Sequence, residues 1–453
     1  MKLSTLQQTL GELNMHPSKS LGQNFLHDQN LAAWIVDQLA LTPQDALAEV
    51  GPGLGSLTEF ALQKCGSATL IEKDGRLAAY LQERFGDRAE VVHQDALEYD
   101  ARKLFPKGPV KLLGNLPYYV TSPLLFQFIA EPSPIVQMVL TVQSEFADRL
   151  AALPRTKAYG ALTLIVGRRW VVKYLRKLPG SVFMPPPNVD SGVISLSPRP
   201  PGELPECDGD LFNRLVKKGF SQRRKQLRKM LAQEVADWPA FAGQLGIAET
   251  VRAEELSLEQ WIALTNLIRP VSAAKAQDVH GEMFDLVDDN DQPLPHESGK
   301  GTRIASRHEV HSNKLKHRAV HIFVFNAKGE LFLQKRSRWK DAHPSKWDSS
   351  ASGHVNAGDD YAPTAVREVE EELGVQADVE FVGKIAACPN TGWEFAHLFQ
   401  ARHEGPFILP RAEIETGGFF PLEIVRRWVE ARPEDFATGF IECWELFGGA
   451  PFR

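Results

Sequence analysis

Four apolar runs, ALAEV (46–50), ATLIE (68–72), AEVVHQD (89–95) and VKLLGN (110–115), alternate with helix-length stretches such as LTEFALQKC and GRLAAYLQERF. Short strand, turn, amphipathic helix, strand: this βαβ order predicts a parallel, doubly wound α/β sheet over the first 200 residues. In such a sheet, ligands bind beyond the carboxyl ends of the strands. The residues closing each run therefore matter most.

The chain has 453 residues, enough for roughly three domain-sized units. The pattern changes to helical periodicity over 208–269, in LFNRLVKKGF, RKQLRKMLAQEV and SLEQWIALTNLI, which predicts a small helical domain. RPVSAAKAQDVHGE has no apolar period, so residues 270–280 read as a linker. A second mixed unit follows over 281–453, with strands expected in AVHIFVFN, GELFLQKRS and EFAHLFQAR and an acidic helix before the last. No apolar stretch approaches the length of a membrane span, and the N-terminus lacks a signal core, so a cytoplasmic location is expected. The four cysteines have no metal-type spacing and read as reduced, packing thiols.

The net charge of −6 is unevenly spread. Residues 1–270 carry 30 basic and 28 acidic side chains (+2), and residues 271–453 carry 21 and 29 (−8). Residues 151–229 alone hold 16 basic against 5 acidic groups, which fits a polyanion-binding surface as well as a solvated face.

EVGPGLGS (49–56) is a glycine-rich turn between strand and helix. It departs from the dinucleotide fingerprint, placing Gly51, Gly53 and Gly55 but Ser56 where a further glycine is usual. Glu72 closes the second strand, where a carboxylate can take ribose hydroxyls, and Asp95 closes the third, where it can hold an adenine amino group. Each alone also fits a helix cap; together they outline a crevice for an adenosine-containing ligand. Asn115 closes the fourth strand in GNLPYYVTS. Its uncharged amide oxygen can accept from an exocyclic amine and draw that nitrogen toward tetrahedral geometry. Tyr118 offers a π-face, and Pro117 stiffens the turn.

SKSLGQNFLHD, EVGPGLGSLT, IEKD, QDAL, GNLPYYVTSP, KAYGALT, FMPPPNVDSGVI and FSQRRKQLRKML together resemble the bacterial small-subunit (16S) ribosomal RNA adenine dimethyltransferases. The likeness spans residues 17–269. It implies a Rossmann-like class I methyltransferase domain over 17–200 and a helical RNA-binding domain over 208–269. By that resemblance Asn24, Leu26, Gly51, Gly53, Gly55, Glu72, Asp95 and Asn115 hold S-adenosyl-L-methionine. Asn115, Leu116, Pro117 and Tyr118 grip the target adenine, and Phe183 packs on its other face. The implied reaction is N6-dimethylation of two adjacent adenosines near the 3′ end of 16S rRNA in the small subunit, on bases withdrawn from their stack. Arg223, Arg224, Lys225 and Arg228, expected on a helix, would meet RNA phosphates.

GHVNAGDDYAPTAVREVEEELGV (353–375) sets Glu368, Glu371 and Glu372 three and four residues apart, on one side of a helix. Mutual repulsion there is relieved by Mg²⁺ or Mn²⁺, which can polarise a phosphoryl group and activate water; a solvated acidic helix is the plainer reading. The spacing resembles the Nudix box, with Gly353, Arg367, Glu368, Val369, Glu371, Glu372, Gly374 and Val375 in register and Asp359 where Glu is usual. An α+β Nudix hydrolase domain over 281–453 is implied, with Glu371 catalytic and Glu368, Glu371 and Glu372 on the metal. EVHSNKLKHRAVHIFVFN and KWDSSASGHV most resemble the isopentenyl-diphosphate isomerase-like group. Ser352 stands where an isomerase needs Cys, which favours hydrolysis of a small diphosphate compound over isomerisation. His311, His317 and His354 are expected at the surface or beside the substrate rather than on a metal, and Glu394 is expected either on the metal or as a base.

The combined expectation is a bifunctional enzyme. Its alternatives are a large-subunit rRNA dimethylase and a ribosome-assembly factor that only binds, with a silent Nudix module.

Overall fold

The computed structural model describes residues 2–17, 22–200, 202–270, 281–298, 300–410 and 412–448. The expected linker lies outside the described residues except for Pro270. The chain forms two compact units, one from residues 1–101, 109–129 and 134–271, the other from 102–108, 130–133 and 272–453.

Among the described residues the first unit has nine strands: β1 (Phe25–Leu26), β2 (Ala46–Val50), β3 (Ser67–Glu72), β4 (Glu90–His93), β5 (Val110–Asn115), β6 (Ile135–Gln143), β7 (Trp170–Leu178), β8 (Phe183–Met184) and β9 (Ser191–Pro198). Seven of them make one sheet in the order β4-β3-β2-β5-β6-β9-β7. Pairing is parallel from β4 through β6 and antiparallel at β9 and β7. The central β2 is buried at all five positions, as a parallel strand covered on both faces should be. Strand order reverses on either side of β2, which opens a crevice beyond its carboxyl end. Apart from this sheet, β1 and β8 pair with each other, Leu26 opposite Phe183. This brings QNFL and FMPPP together across 157 residues of sequence (183 − 26).

Helices Gly209–Phe220 and Leu258–Ile268 bury Phe212, Leu215, Trp261 and Ile262 in a core that also takes Tyr159 and Leu164. The expected helix over SQRRKQLRK is absent. Helix Gly209–Phe220 ends before it, 221–225 is a turn, and only Leu227–Met230 is helical. The reason is tertiary: Gln226 bridges to Arg252, and the Leu227 N–H donates to the Val251 carbonyl. Groups that a continuous helix would use internally are committed to a neighbouring segment.

The second unit adds β10 (Met283–Asp285), β11 (Ile304–Ser306), β12 (His317–Phe325), β13 (Leu331–Arg336), β14 (Trp347–Asp348), β15 (Ala351–His354), β16 (Val379–Ile385), β17 (Glu394–Arg402) and β18 (Ile414–Phe420). Its mixed sheet runs β14-β13-β12-β17-β16, with β15 also on β12 and β18 also on β13. Alternation along β12 decides the layering. Val320, Ile322 and Val324 join the core beneath helix Tyr361–Leu373, whereas Phe323 and Phe325 join Trp428 and Phe440 of the C-terminal helices. Among the described residues no helix is long and apolar enough to cross a membrane.

Candidate active sites

The first crevice is lined by Asn24, Leu26, Gly51, Gly53, Glu72, Asp95, Asn115 and Pro117, drawn from five separate stretches of chain. The glycine turn owes its shape to positive φ at Gly51, Gly53 and Gly55 (65°, 60° and 77°), which other residues rarely adopt. Space at Gly53 is also tight, since a Cβ would sit 3.0 Å from the Phe25 ring. Glu72 locks this turn. One carboxylate oxygen accepts the Gly53 N–H at 3.1 Å and the other the Asp74 N–H at 2.9 Å. Burial holds its carboxyl above the usual range, against these two bonds.

At the fourth strand end, Asn115 Nδ2 donates to the Asn24 carbonyl at 2.9 Å. The Tyr118 hydroxyl pairs with Ser191 Oγ at 2.6 Å, and Thr121 Oγ1 donates to the Pro117 carbonyl at 3.1 Å. These bonds hold the Asn-Leu-Pro-Tyr turn from both sides. The Leu116 side chain is buried beneath it.

In the second unit, helix Tyr361–Leu373 is capped by Asp360 and stopped by Gly374 at φ 69°. Glu368 and Glu372 are buried and line a polar cavity. Glu372 accepts from Gln334 Nε2 and the Ser352 N–H, each at 3.0 Å. Glu368 takes Arg367 at 3.1 Å and lies so close to Gly353 that a Cβ there would come within 2.2 Å of its carboxyl carbon. Burial, then mutual repulsion, raises Glu368 well above a normal carboxyl. Burial also moves Glu372 up to about 7, with Lys340 opposing and Glu413 reinforcing the shift. Two crowded acids beside a polar cavity have the donor chemistry of a hard-cation site. The residues present fit a divalent metal.

A further set of donors lies beside this cavity, which His311, His354 and Glu394 line and His317 does not. One ligand-type atom from each of His311, His317, His354 and Glu394 lies within 4.8 Å of the others. His317 Nδ1 donates to the Leu315 carbonyl at 2.9 Å, leaving its buried Nε2 with a lone pair and no hydrogen-bond partner. That atom is 3.5 Å from Glu394 Oε1. Burial and the neighbouring imidazoles lower His311 to about 4. Glu394 is held well below the usual range by His317 and His354, despite a burial effect in the other direction. His311 and His354, which burial keeps toward the neutral imidazole, and an ionised carboxylate are donors that suit a bound cation. His317 is fully buried and so does not lie at the surface.

Residues 14–269 match the ribosomal RNA adenine dimethylase family, over more than half of the chain. The chain belongs to the ribosomal RNA adenine dimethylase family. Residues 315–438 separately match the NUDIX domain, so this family member carries a fused Nudix unit. The chain is 40% identical over 254 residues to ribosomal RNA small subunit methyltransferase A of Prosthecochloris aestuarii, covering 56% of this chain and 94% of that protein. It is 37% identical over 282 residues to the like-named protein of Clostridioides difficile, covering 59% and 96%. A solved dimethyladenosine transferase from Plasmodium falciparum aligns at 22% identity and TM-score 0.44, covering 53% of this chain and 95% of that one.

With the adenine dimethylase family as frame, the expected residues divide. Asn24, Leu26, Gly51, Gly53, Glu72, Asp95, Asn115 and Pro117 meet at one crevice, and the family implies S-adenosylmethionine as its occupant. Gly55 shapes the turn from behind, where a Cβ would come 2.5 Å from Phe85. Phe183 is not among the crevice lining; its ring is buried in the core with Leu178 and Val193. Arg223 is tied to Glu254 at 2.8 Å and donates to the Lys157 carbonyl at 2.7 Å, so it braces a loop. Arg224, Lys225 and Arg228 are exposed. In the Nudix unit Glu371 is exposed and does not line the cavity, unlike Glu368 and Glu372.

Several lining residues went unanticipated. Glu49 precedes the glycine turn, and Lys73 and Tyr119 each neighbour an expected residue. The NUDIX cavity also takes Arg336, Lys340, Asp348 and Glu413. Glu49, Lys73 and Tyr119 lie within the quoted motifs and could have been found there. Glu413 lies in a stretch with no motif.

Proposed function

We propose that this chain dimethylates N6 of two adjacent adenosines near the 3′ end of 16S rRNA in the small ribosomal subunit, and that its Nudix unit hydrolyses a small diphosphate compound with Mg²⁺ or Mn²⁺. The observation that carries the first part is the orientation of Asn115. A carbonyl can only accept, so the Asn24 contact assigns Nδ2 to that side and turns Oδ1 away from it. An amide oxygen fixed in this way accepts from the exocyclic amine of a withdrawn adenine and favours a tetrahedral nitrogen. The Tyr118 ring offers a stacking face, anchored through its hydroxyl to Ser191. Asn24, Leu26, the glycine turn, Glu72 and Asp95 would hold S-adenosylmethionine, whose sulfonium supplies the methyl group.

Residues 17–200 would be the catalytic domain and 208–269 the RNA-binding domain, with exposed Arg224, Lys225 and Arg228 toward phosphates. The small-subunit methyltransferases named above support that substrate over large-subunit RNA. A cytoplasmic location follows from this role. Labelled methyl transfer from S-adenosylmethionine to under-methylated small subunits tests the reading. Transfer by the wild type and none by Asn115→Ala supports it; absence from both would leave a binding factor.

For the Nudix unit, Glu368 and Glu372, together with the His311, His317, His354 and Glu394 set, would hold divalent cations, which supply Lewis acidity toward a phosphoryl oxygen. Arg336 and Lys340 also line the cavity, paired with Asp348 at 2.9 Å and Glu413 at 2.8 Å, and would be the cations nearest a bound diphosphate. The Ser352 hydroxyl is a poor proton shuttle near neutral pH, which favours hydrolysis over isomerisation. A panel of nucleoside and isoprenoid diphosphates, read by phosphate release with Mg²⁺ or with chelator, tests this. Release that survives chelation or Glu372→Gln would overturn the metal assignment.

A further inference from the structure

Lys73 follows Glu72 at the end of β3, and its ammonium donates to Asp95 Oδ2 at 2.6 Å. The other oxygen, Oδ1, accepts the Leu97 N–H at 3.0 Å. Asp95 is thus gripped at both oxygens, and its carboxylate plane cannot turn freely. Lys73 and Asp95 both line the crevice that also holds Glu72 and Asn115. A carboxylate offers about four lone-pair directions, so two such bonds leave acceptor capacity on a fixed plane. The ammonium also keeps Asp95 below its ordinary range, and therefore ionised and acceptor-only at neutral pH.

We infer that Lys73 is a positioning residue for the methyl donor: by pinning Asp95 it selects the 6-amino group of adenine and rejects a 6-oxo purine. This rests on the assignment of Asp95 to the adenine. A 6-amino group donates to the fixed carboxylate. A 6-oxo group sets one acceptor against another, and a site built for a donor leaves its own group unpaired with such a ligand. With Lys73 removed, Asp95 can rotate toward solvent, and the penalty for the wrong purine falls. The alternative is an exposed ion pair, half of it in water, of a kind that commonly contributes nothing measurable. Such a pair would not move ligand selectivity.

The test titrates S-adenosylhomocysteine and S-inosylhomocysteine into the full chain by calorimetry, as wild type, Lys73→Met, Lys73→Arg and Asp95→Asn. The expected result is a strong wild-type preference for the adenine compound that shrinks about tenfold in Lys73→Met, chiefly through loss of adenine-ligand affinity. Lys73→Arg, which retains a cationic donor, should restore most of the preference. An unchanged ratio in Lys73→Met, or equal weakening of both ligands, overturns the role of Lys73. If Asp95→Asn also leaves the ratio unchanged, the adenine assignment itself fails. If Asp95→Asn collapses the ratio while Lys73→Met does not, only the inference about Lys73 falls.

Discussion

The side-chain amide of Asn115 is held by the main-chain carbonyl of Asn24, Nδ2 to oxygen, at 2.9 Å. One residue closes a strand and the other enters the short β1 pairing, 91 positions apart. The bond orients the amide before any base arrives, so its oxygen does not have to be turned and desolvated during the reaction.

Asn115→Asp keeps the shape but exchanges the donor nitrogen for a second acceptor, setting carboxylate against the Asn24 carbonyl. Methyl transfer should fall by about 10²-fold or more, with S-adenosylhomocysteine affinity reduced far less. Single-turnover transfer alongside calorimetry checks this. Equal losses in both would make Asn115 a cofactor-binding residue alone.

Tyr118 separates ring from hydroxyl. Tyr118→Phe loses only the Ser191 contact and should retain activity within about tenfold, whereas Tyr118→Ala removes the stacking face and should cost about 1–3 kcal/mol of base binding. KM for the RNA substrate is the measurement.

Glu49 is fully buried, accepts from Thr58 Oγ1 at 2.7 Å and has its carboxyl pushed up to about 8, burial being the main cause. A folded-state value above the unfolded one gives stability that is complete below about pH 4.5 and is lost as pH rises toward 8. The melting transition of the first unit should therefore fall across that window. Glu49→Gln, a neutral isostere, should flatten the dependence and raise the transition near pH 8. Parallel pH profiles for both proteins would refute this.

The imidazole and carboxylate set predicts a cation site separable from methyl transfer. Co²⁺ titration of the full chain should give a ligand-field spectrum that is lost in His317→Ala and weakened in Glu394→Gln, with methyl transfer unaffected. An unchanged spectrum in His317→Ala would exclude that residue from the site.

Asp291 anchors the second unit. It is buried and accepts from Arg318 at 2.7 Å, Lys384 at 2.6 Å and the Tyr361 hydroxyl at 2.9 Å. Asp291→Ala leaves two cations facing each other in a partly buried place and should destabilise this unit by about 3–5 kcal/mol. Urea unfolding followed by tryptophan fluorescence reads it. A loss under 1 kcal/mol would show that water replaces the carboxylate.

Much of this protein was determined by local sequence. Strand–helix alternation located β2, β3, β4 and β5, because each run is about the length of one strand and is followed by a turn or helix signal. That logic also placed Glu72 and Asn115 at strand ends, whereas Asp95 falls two residues beyond the end of β4, and the Nudix spacing placed Glu368 and Glu372 one helical turn apart. What required the tertiary structure was every relation between distant segments. The break after Phe220 came from Val251 and Arg252 capturing backbone groups that periodicity alone assigns to a helix. Phe183 became a core residue because β8 lies against β1. Arg223 became a brace because Glu254 reaches it. The four-donor set stayed hidden because His311, His317, His354 and Glu394 sit on different elements, and only the pairing of β12 with β15 and β17 brings three of them together. Periodicity and motif spacing report what a residue can do within its own turn or strand. Which lone pairs and charges end up facing one another depends on how the strands cross, and no single segment encodes that.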